Sequence, residues 1–182
     1  MEDISLHLLD LAQNSISAGA SLVEIFIVED THKGQMIVTL RDNGHGMDES
    51  QVKRVTDPFF TTRNTRRVGL GIPLFQASAE ATGGQMYIKS CMGRGTEIKA
   101  VFYTTHIDCL PLGRIDDTIL SLILLNPEID FVYSHKKQDK HFLLDTRQIR
   151  EVLGQVSIEN PSVIEWIRKY LSDGLEEING GV

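Results

Sequence analysis

Much of what would classify a protein at a glance is scarce in this 182-residue chain. There are two cysteines, Cys91 and Cys109, too few for a disulfide-stapled scaffold; both are expected to act as small buried hydrophobes in a reduced, cytoplasmic setting. No apolar run approaches the roughly 20 residues of a membrane span, since the longest is Thr118 to Leu125. The amino terminus, MEDISLHLLD, has no basic stretch leading into an apolar core, so no secretory signal is expected. Positive charge is also short: 18 basic against 25 acidic side chains leave a net −7, which argues against a sequence-blind grip on nucleic acid. No GxxxxGK[ST] phosphate loop occurs, and no complete GxGxxG opens a helix after a strand.

What is present is ordinary for a folded domain, with 41% hydrophobic and 24% charged residues. Charge is uneven along the chain. Residues 1–104 hold 10 basic and 12 acidic side chains, residues 105–182 hold 8 and 13. The basic groups of the first part cluster at Arg63, Arg66 and Arg67, a patch suited to a small anion.

Hydrophobic spacing predicts a helix over residues 4–18, ended by Gly19, then strands Val23–Val28 and Met36–Leu40 around a turn at Lys33-Gly34. A short helix is expected at Glu49–Val55, a basic loop at Asp57–Val68, and a helix from Pro73 to about Ala81. A hairpin follows, Met86–Ser90 with Thr96–Tyr103. This order predicts an α+β fold, a two-layer sandwich of one mixed, mostly antiparallel sheet with its helices on one face. Residues 105–182 are expected to form a small α+β appendage. Its helices are read at Ile115–Leu125, Arg147–Leu153 and Ser162–Leu175, with short strands Asp130–Tyr133 and His141–Leu144 around a charged turn, His135–Lys140. The domain boundary is placed between residues 104 and 105.

Several polar residues interrupt these patterns. Asp10 and Asn14 share one face of the first helix, with His7 extending that polar stripe one turn back. An amide oxygen there suits Mg²⁺, which takes few protein ligands beside substrate phosphates, and Asp10 is placed to accept a proton or hold a water; a merely wet helix face is the plainer alternative. Asp42 opens DNGHGM at a strand end, where a carboxylate suits the exocyclic amine of adenine, and Gly44 and Gly46 let backbone approach a flat ring. An ordinary glycine-rich turn reads equally well. Gly69-Leu70-Gly71 precedes a helix and is a candidate phosphate site. Thr96 is placed to bridge Asp42 and the ring.

Taken in order, these segments resemble the GHKL superfamily of ATP-binding domains, which includes DNA gyrase, the heat-shock chaperone, histidine kinases and MutL. LLDLAQNSISAGA is similar to its N box, RDNGHGMD to the first glycine box, DPFFTTR to the F box, VGLGI to the second glycine box and GRGTEI to the last. The likeness covers residues 4–103. It is nearer MutL from NSISAGA to RDNGHGM, and nearer a histidine kinase from DPFFTTR through GLGIPLFQASAEATGG.

The resemblance implies ATP and Mg²⁺ as cofactors, Asn14 as metal ligand, and Asp42 as the adenine contact, with Gly44, Gly46 and Met47 beside the base and Thr96 at its edge. It further implies Phe59 and Phe60 packing the lid, Phe60, Thr61, Thr62 and Arg63 among the nucleotide-binding residues, and Gly69, Leu70, Gly71 and Ile72 at the phosphates, which Arg63, Arg66 and Arg67 are suited to neutralise, a solvated charged loop reading equally well. Asp10 falls where MutL-like members carry a water-activating glutamate, one methylene longer. No histidine (His7, His32, His45, His106, His135 or His141) stands in a phosphoacceptor motif, and no acceptor hairpin is expected ahead of the N box. The expectation is a histidine-kinase-like signal-transduction protein acting in trans on a partner protein. The alternatives are a MutL- or gyrase-like ATPase, conceivable as a homodimer, and a non-catalytic ATP sensor. Residues 105–182 carry no motif, and the His106, Asp108 and Cys109 grouping fits no closed metal site.

Overall fold

The computed structural model describes residues 2–56 and 70–180. The chain runs α1 (Ile4–Ser17), β1 (Leu22–Asp30), β2 (Gln35–Asp42), α2 (Glu49–Val55), α3 (Gly71–Ala81), β3 (Gln85–Cys91) and β4 (Gly95–Tyr103), and then α4 (Ile115–Leu125), β5 (Asp130–Lys137), β6 (Lys140–Asp145), α5 (Thr146–Leu153) and α6 (Pro161–Ile178). One six-stranded sheet, ordered β3-β4-β2-β1-β5-β6, holds every strand. Every neighbouring pair is antiparallel except β1 with β5. This is the expected α+β class.

Alternation along the strands fixes which side is dry. Val23, Ile25 and Ile27 of β1 lie beside Leu40 and Val38 of β2, Ile98, Ala100 and Phe102 of β4, and Phe131 and Tyr133 of β5, all buried against the helical layer. Leu8, Leu11 and Ala12 of α1 and Phe75 of α3 close the core from above, where the Phe75 and Phe102 rings meet at 5.5 Å. On the other face, Arg41 pairs with Glu97 and lies over the Phe26 ring.

The sheet runs straight across the boundary expected after residue 104. Strand β5 lies along the whole of β1, from Leu22 beside Asp130 to Glu29 beside Lys137. The link is also made at α1. The Ile4 and Ser5 amides, unpaired within their own helix, donate to the carbonyls of Pro111 and Leu112 at 3.0 and 2.9 Å.

Strand β5 is longer than expected and absorbs half of the predicted charged turn. His135, 1% exposed, sits between the Tyr133 hydroxyl at 2.9 Å and Glu29 at 2.8 Å, and Lys137 reaches the same carboxylate at 3.4 Å. The reversal is left to Gln138, at φ 55°, and Asp139. The cysteines also differ from expectation, since Cys91 is exposed and Cys109 half-buried.

Strand β6 forms one edge of the sheet. Between α5 and α6 beside it lies an apolar groove of about 440 Å³, walled by Leu143, Ile149, Val152, Val163 and Trp166. Trp166 stacks on Tyr170 at 5.1 Å, and the Tyr170 hydroxyl donates to the Leu143 carbonyl at 2.9 Å. No helix among the described residues is long and apolar enough to cross a membrane.

Candidate functional site

The polar residues singled out in the sequence meet at one end of the sheet. Asp42 is the last residue of β2, directly across from Thr96 on β4, which in turn lies across from Ser90 on β3. The end of α1 covers this row. A cavity of about 280 Å³ lies between them, with Asn14, Ser15, Asp42, Met47, Ile72 and Thr96 in its wall.

Asp42 is fixed by two donors, Ser15 Oγ to Oδ2 at 2.7 Å and the Gly44 amide to Oδ1 at 2.9 Å. Each oxygen keeps a lone pair, so the carboxylate can still accept from a ligand. Thr96 Oγ1 lies 2.9 Å from Ser90 Oγ, which also receives the Met47 amide at 2.8 Å and donates to the Gly95 carbonyl at 3.0 Å. Ser90 therefore ties the last hairpin to the DNGHGM loop.

The two glycines of that loop serve different ends. Gly46 adopts φ 68°, and a Cβ there would lie 2.0 Å from the Cys91 carbonyl oxygen, so only glycine lets the loop pass the end of β3. Gly44 lacks a positive φ; its amide is what the site uses. Gly95, at φ 93°, lets β4 start against the Asp42 backbone, where a Cβ would meet the carbonyl oxygen at 1.9 Å.

Helix α3 begins beside the exposed face of α1. A Cβ built on Gly71 would lie 3.4 Å from Asp10 Cβ and 3.7 Å from Asn14 Nδ2, so the helix start, Asp10 and Asn14 are neighbours. No side chain caps α3 at Leu70, and Pro73 brings no amide of its own to this first turn. The result is a positive helix end beside an amide and a carboxylate, an arrangement that attracts an anion carrying a cation. Asp10 and Asn14 make no side-chain hydrogen bond among the described residues. Those residues contain no cluster of three or more His, Cys, Asp or Glu able to hold a metal. A hard cation that brings most of its ligands on a phosphate asks little of the protein, and a side chain such as that of Asn14 carries one suitable oxygen.

His7 departs from its expected place in the wet stripe. It is 2% exposed, its ring 5.5 Å from that of Phe75 and its Nε2 3.1 Å from Ser78 Oγ, so it pins α3 to α1. Burial lowers its pKa, outweighing the nearby Asp10 and Asp3. Phe59, Phe60, Thr61, Thr62, Arg63, Arg66, Arg67 and Gly69 lie outside the described residues. Ser15 and Ser90 were not singled out as site residues in the sequence. Ser15 reads there as one more position of a buried helix face, and Ser90 carries no local signal at all.

Comparison with known proteins follows the same segments. The family described as histidine kinase-, DNA gyrase B-, and HSP90-like ATPase matches residues 2–106. The chain is 39% identical over 104 residues to a putative sensor protein of Shewanella frigidimarina, a match that covers 56% of this chain and 16% of that protein. It is 30% identical over 98 residues to sporulation kinase E of Bacillus subtilis, covering 53% and 13%. Against the cell-division control histidine kinase PdhS of Brucella abortus it is 29% identical over 122 residues, covering 59% and 11%. The chain thus spans about a sixth or less of the curated relatives it matches. Among solved structures, the N-terminal domain of a DNA repair protein superposes with TM-score 0.56 at 15% identity, covering 85% of this chain and 58% of that one. The Aquifex aeolicus MutL ATPase domain complexed with ADP superposes with TM-score 0.50 at 16% identity, covering 93% and 88%. At such identities these two likenesses speak for the fold.

Proposed function

Because the chain belongs to the histidine kinase-, DNA gyrase B- and HSP90-like ATPase family, we propose that it binds Mg·ATP in the cavity above Asp42 and passes phosphate to, or otherwise regulates, a partner protein. The observation that carries this reading is the meeting of Asp42 and Thr96 with Asn14, Asp10 and the start of α3 at one cavity. Asp42 takes the adenine amine, Gly44, Gly46 and Met47 flank the base, and Thr96 stands at its edge. The first-turn amides of α3, at Gly71 and Ile72, serve the phosphates; a part for Gly69, Phe60, Thr61, Thr62 and Arg63 in holding the same nucleotide rests on the family resemblance alone. Asn14 holds the metal, which when bound neutralises charge on the phosphate oxygens. The protein's own part is to orient the nucleotide and keep water from the base.

The curated relatives favour the transfer reading, since two of them are named as kinases. Calorimetry with ATP and magnesium tests the binding, and γ-labelled ATP incubated with candidate partners tests the transfer. Binding without any label leaving the nucleotide would remove the kinase part. A second reading, an ATPase whose hydrolysis drives a conformational cycle, is favoured by Asp10, exposed beside the start of α3 where a carboxylate can activate water. It predicts phosphate release without a partner, lost in Asp10→Asn. Partner-free release that persists in that variant speaks against Asp10 as the base.

A further inference from the structure

Ser90 has a hydroxyl whose hydrogen-bonding capacity is completely taken up. A hydroxyl has one proton and two lone pairs. The proton of Ser90 goes to the Gly95 carbonyl at 3.0 Å, and one lone pair receives the Met47 amide at 2.8 Å. The remaining contact is Thr96 Oγ1 at 2.9 Å. With Ser90's only proton on the Gly95 carbonyl, Thr96 is the donor of that bond, one of the two directions open to a pair of hydroxyls. Thr96 then has only lone pairs to show the cavity, as does Asp42 beside it.

We infer that Ser90 sets which purine the site accepts, by holding the Thr96 proton so that Asp42 and Thr96 present adjacent acceptors. This inference rests on the nucleotide reading given above and goes beyond it, since it assigns base discrimination to a residue in the outer neighbouring strand. A 6-amino purine offers two N–H donors to two acceptors. A 6-oxo purine such as hypoxanthine or guanine offers an oxygen to the same pair, and that oxygen finds no proton. Ser90 is a positioning residue in this scheme, acting through Thr96. The same bonds set the geometry: the Met47 amide and the Gly95 carbonyl hold Ser90 from both sides, so its hydroxyl cannot turn to release Thr96 without leaving one of them unpaired.

The test compares ATP with inosine triphosphate, each with magnesium, by calorimetry on the full chain. The native protein is expected to prefer ATP. In Ser90→Ala the Thr96 hydroxyl regains its proton and can donate to a 6-oxo group, so the ratio of the two dissociation constants should narrow about fivefold or more, the worth of one neutral hydrogen bond. Ser90→Cys keeps the side-chain volume with a sulfur that accepts poorly, and should narrow the ratio likewise in a protein packed as the native one is. Ser90→Thr keeps the hydroxyl and should restore the native ratio, an effect no purely structural role would give. A native protein indifferent to the two nucleotides, an unchanged ratio in both Ser90→Ala and Ser90→Cys, or an equal narrowing in Ser90→Thr each overturns the inference and leaves ATP binding standing. A native protein that binds neither nucleotide removes the proposed function itself, and the inference with it.

Discussion

The groove under Trp166 is walled largely by apolar side chains, the cavity above Asp42 by apolar and polar ones together, and the groove is the larger, about 440 Å³ against about 280 Å³. Their polar groups differ. In the groove, Asp145 is satisfied by Arg147, whose hydrogen bonds hold its carboxyl below the usual range, and the Tyr170 hydroxyl is spent on Leu143. In the cavity, Asp42 is held by two donors yet keeps acceptor capacity, and Asn14 and an uncapped helix start lie alongside. Volume does not separate the two. Polar groups fixed in place with valence to spare do.

Four experiments break or sharpen this contrast. Gly95→Ala puts a methyl into the Asp42 backbone and should cost about 3 kcal/mol or more in urea unfolding, taking nucleotide binding with it. Near-native stability would mean that β4 can start elsewhere. Asp42→Asn keeps shape but halves the acceptor character, and should weaken ATP about a hundredfold by calorimetry while the unfolding midpoint barely moves. In the other region, Trp166→Ala removes a half-exposed, stacked ring and should lower stability by about 1–2 kcal/mol with ATP affinity within about twofold. A tenfold loss of affinity there would tie groove and cavity together and undo the contrast.

Acid should give the smallest effect, through two buried histidine contacts outside both regions, His7 between α1 and α3 and His135 with Glu29 between β5 and β1. His7 is kept neutral by burial, so its folded pKa lies below 6.5; the unfolded chain takes up more protons, and stability should decline as pH falls from 6.5 toward that lower value. His7→Gln should flatten this slope alone. Glu29 is held below 4.5 by the hydrogen bond from His135, with Lys137 adding to it. Its contribution is present above 4.5 and is lost as pH falls through the folded value, and Glu29→Gln should flatten only that lower window. One shared slope removed by either substitution would show that the two sites titrate together.

Local chemistry made part of this molecule legible in its sequence. Helix α2 has the bounds expected of it because Asp48 and Gln51 form a reciprocal cap within four residues. Asn14 could be picked out because an amide breaks an amphipathic helix and Asp10 because it shares that face, while Asp42 and Thr96 stood out beside glycines at strand ends, in segments that resemble the family's boxes. What was not legible depends on partners far along the chain. His135, Lys136 and Lys137 look like a charged turn until Glu29, on the next strand, receives the imidazole. Ser90 acquires its role only when the register sets it across from Thr96. His7 looks like its polar neighbours, yet Phe75 and Ser78 of α3 decide that it is buried.

The parallel seam between β1 and β5 has a practical side. A protein trimmed to the stretch shared with the family would leave Leu22–Asp30, rich in valine and isoleucine, with one flank of amides and carbonyls bare. Bare flanks of that kind recruit other chains, so the trimmed form would be prone to polymerise. The segment outside the shared stretch closes that flank, whatever else it does.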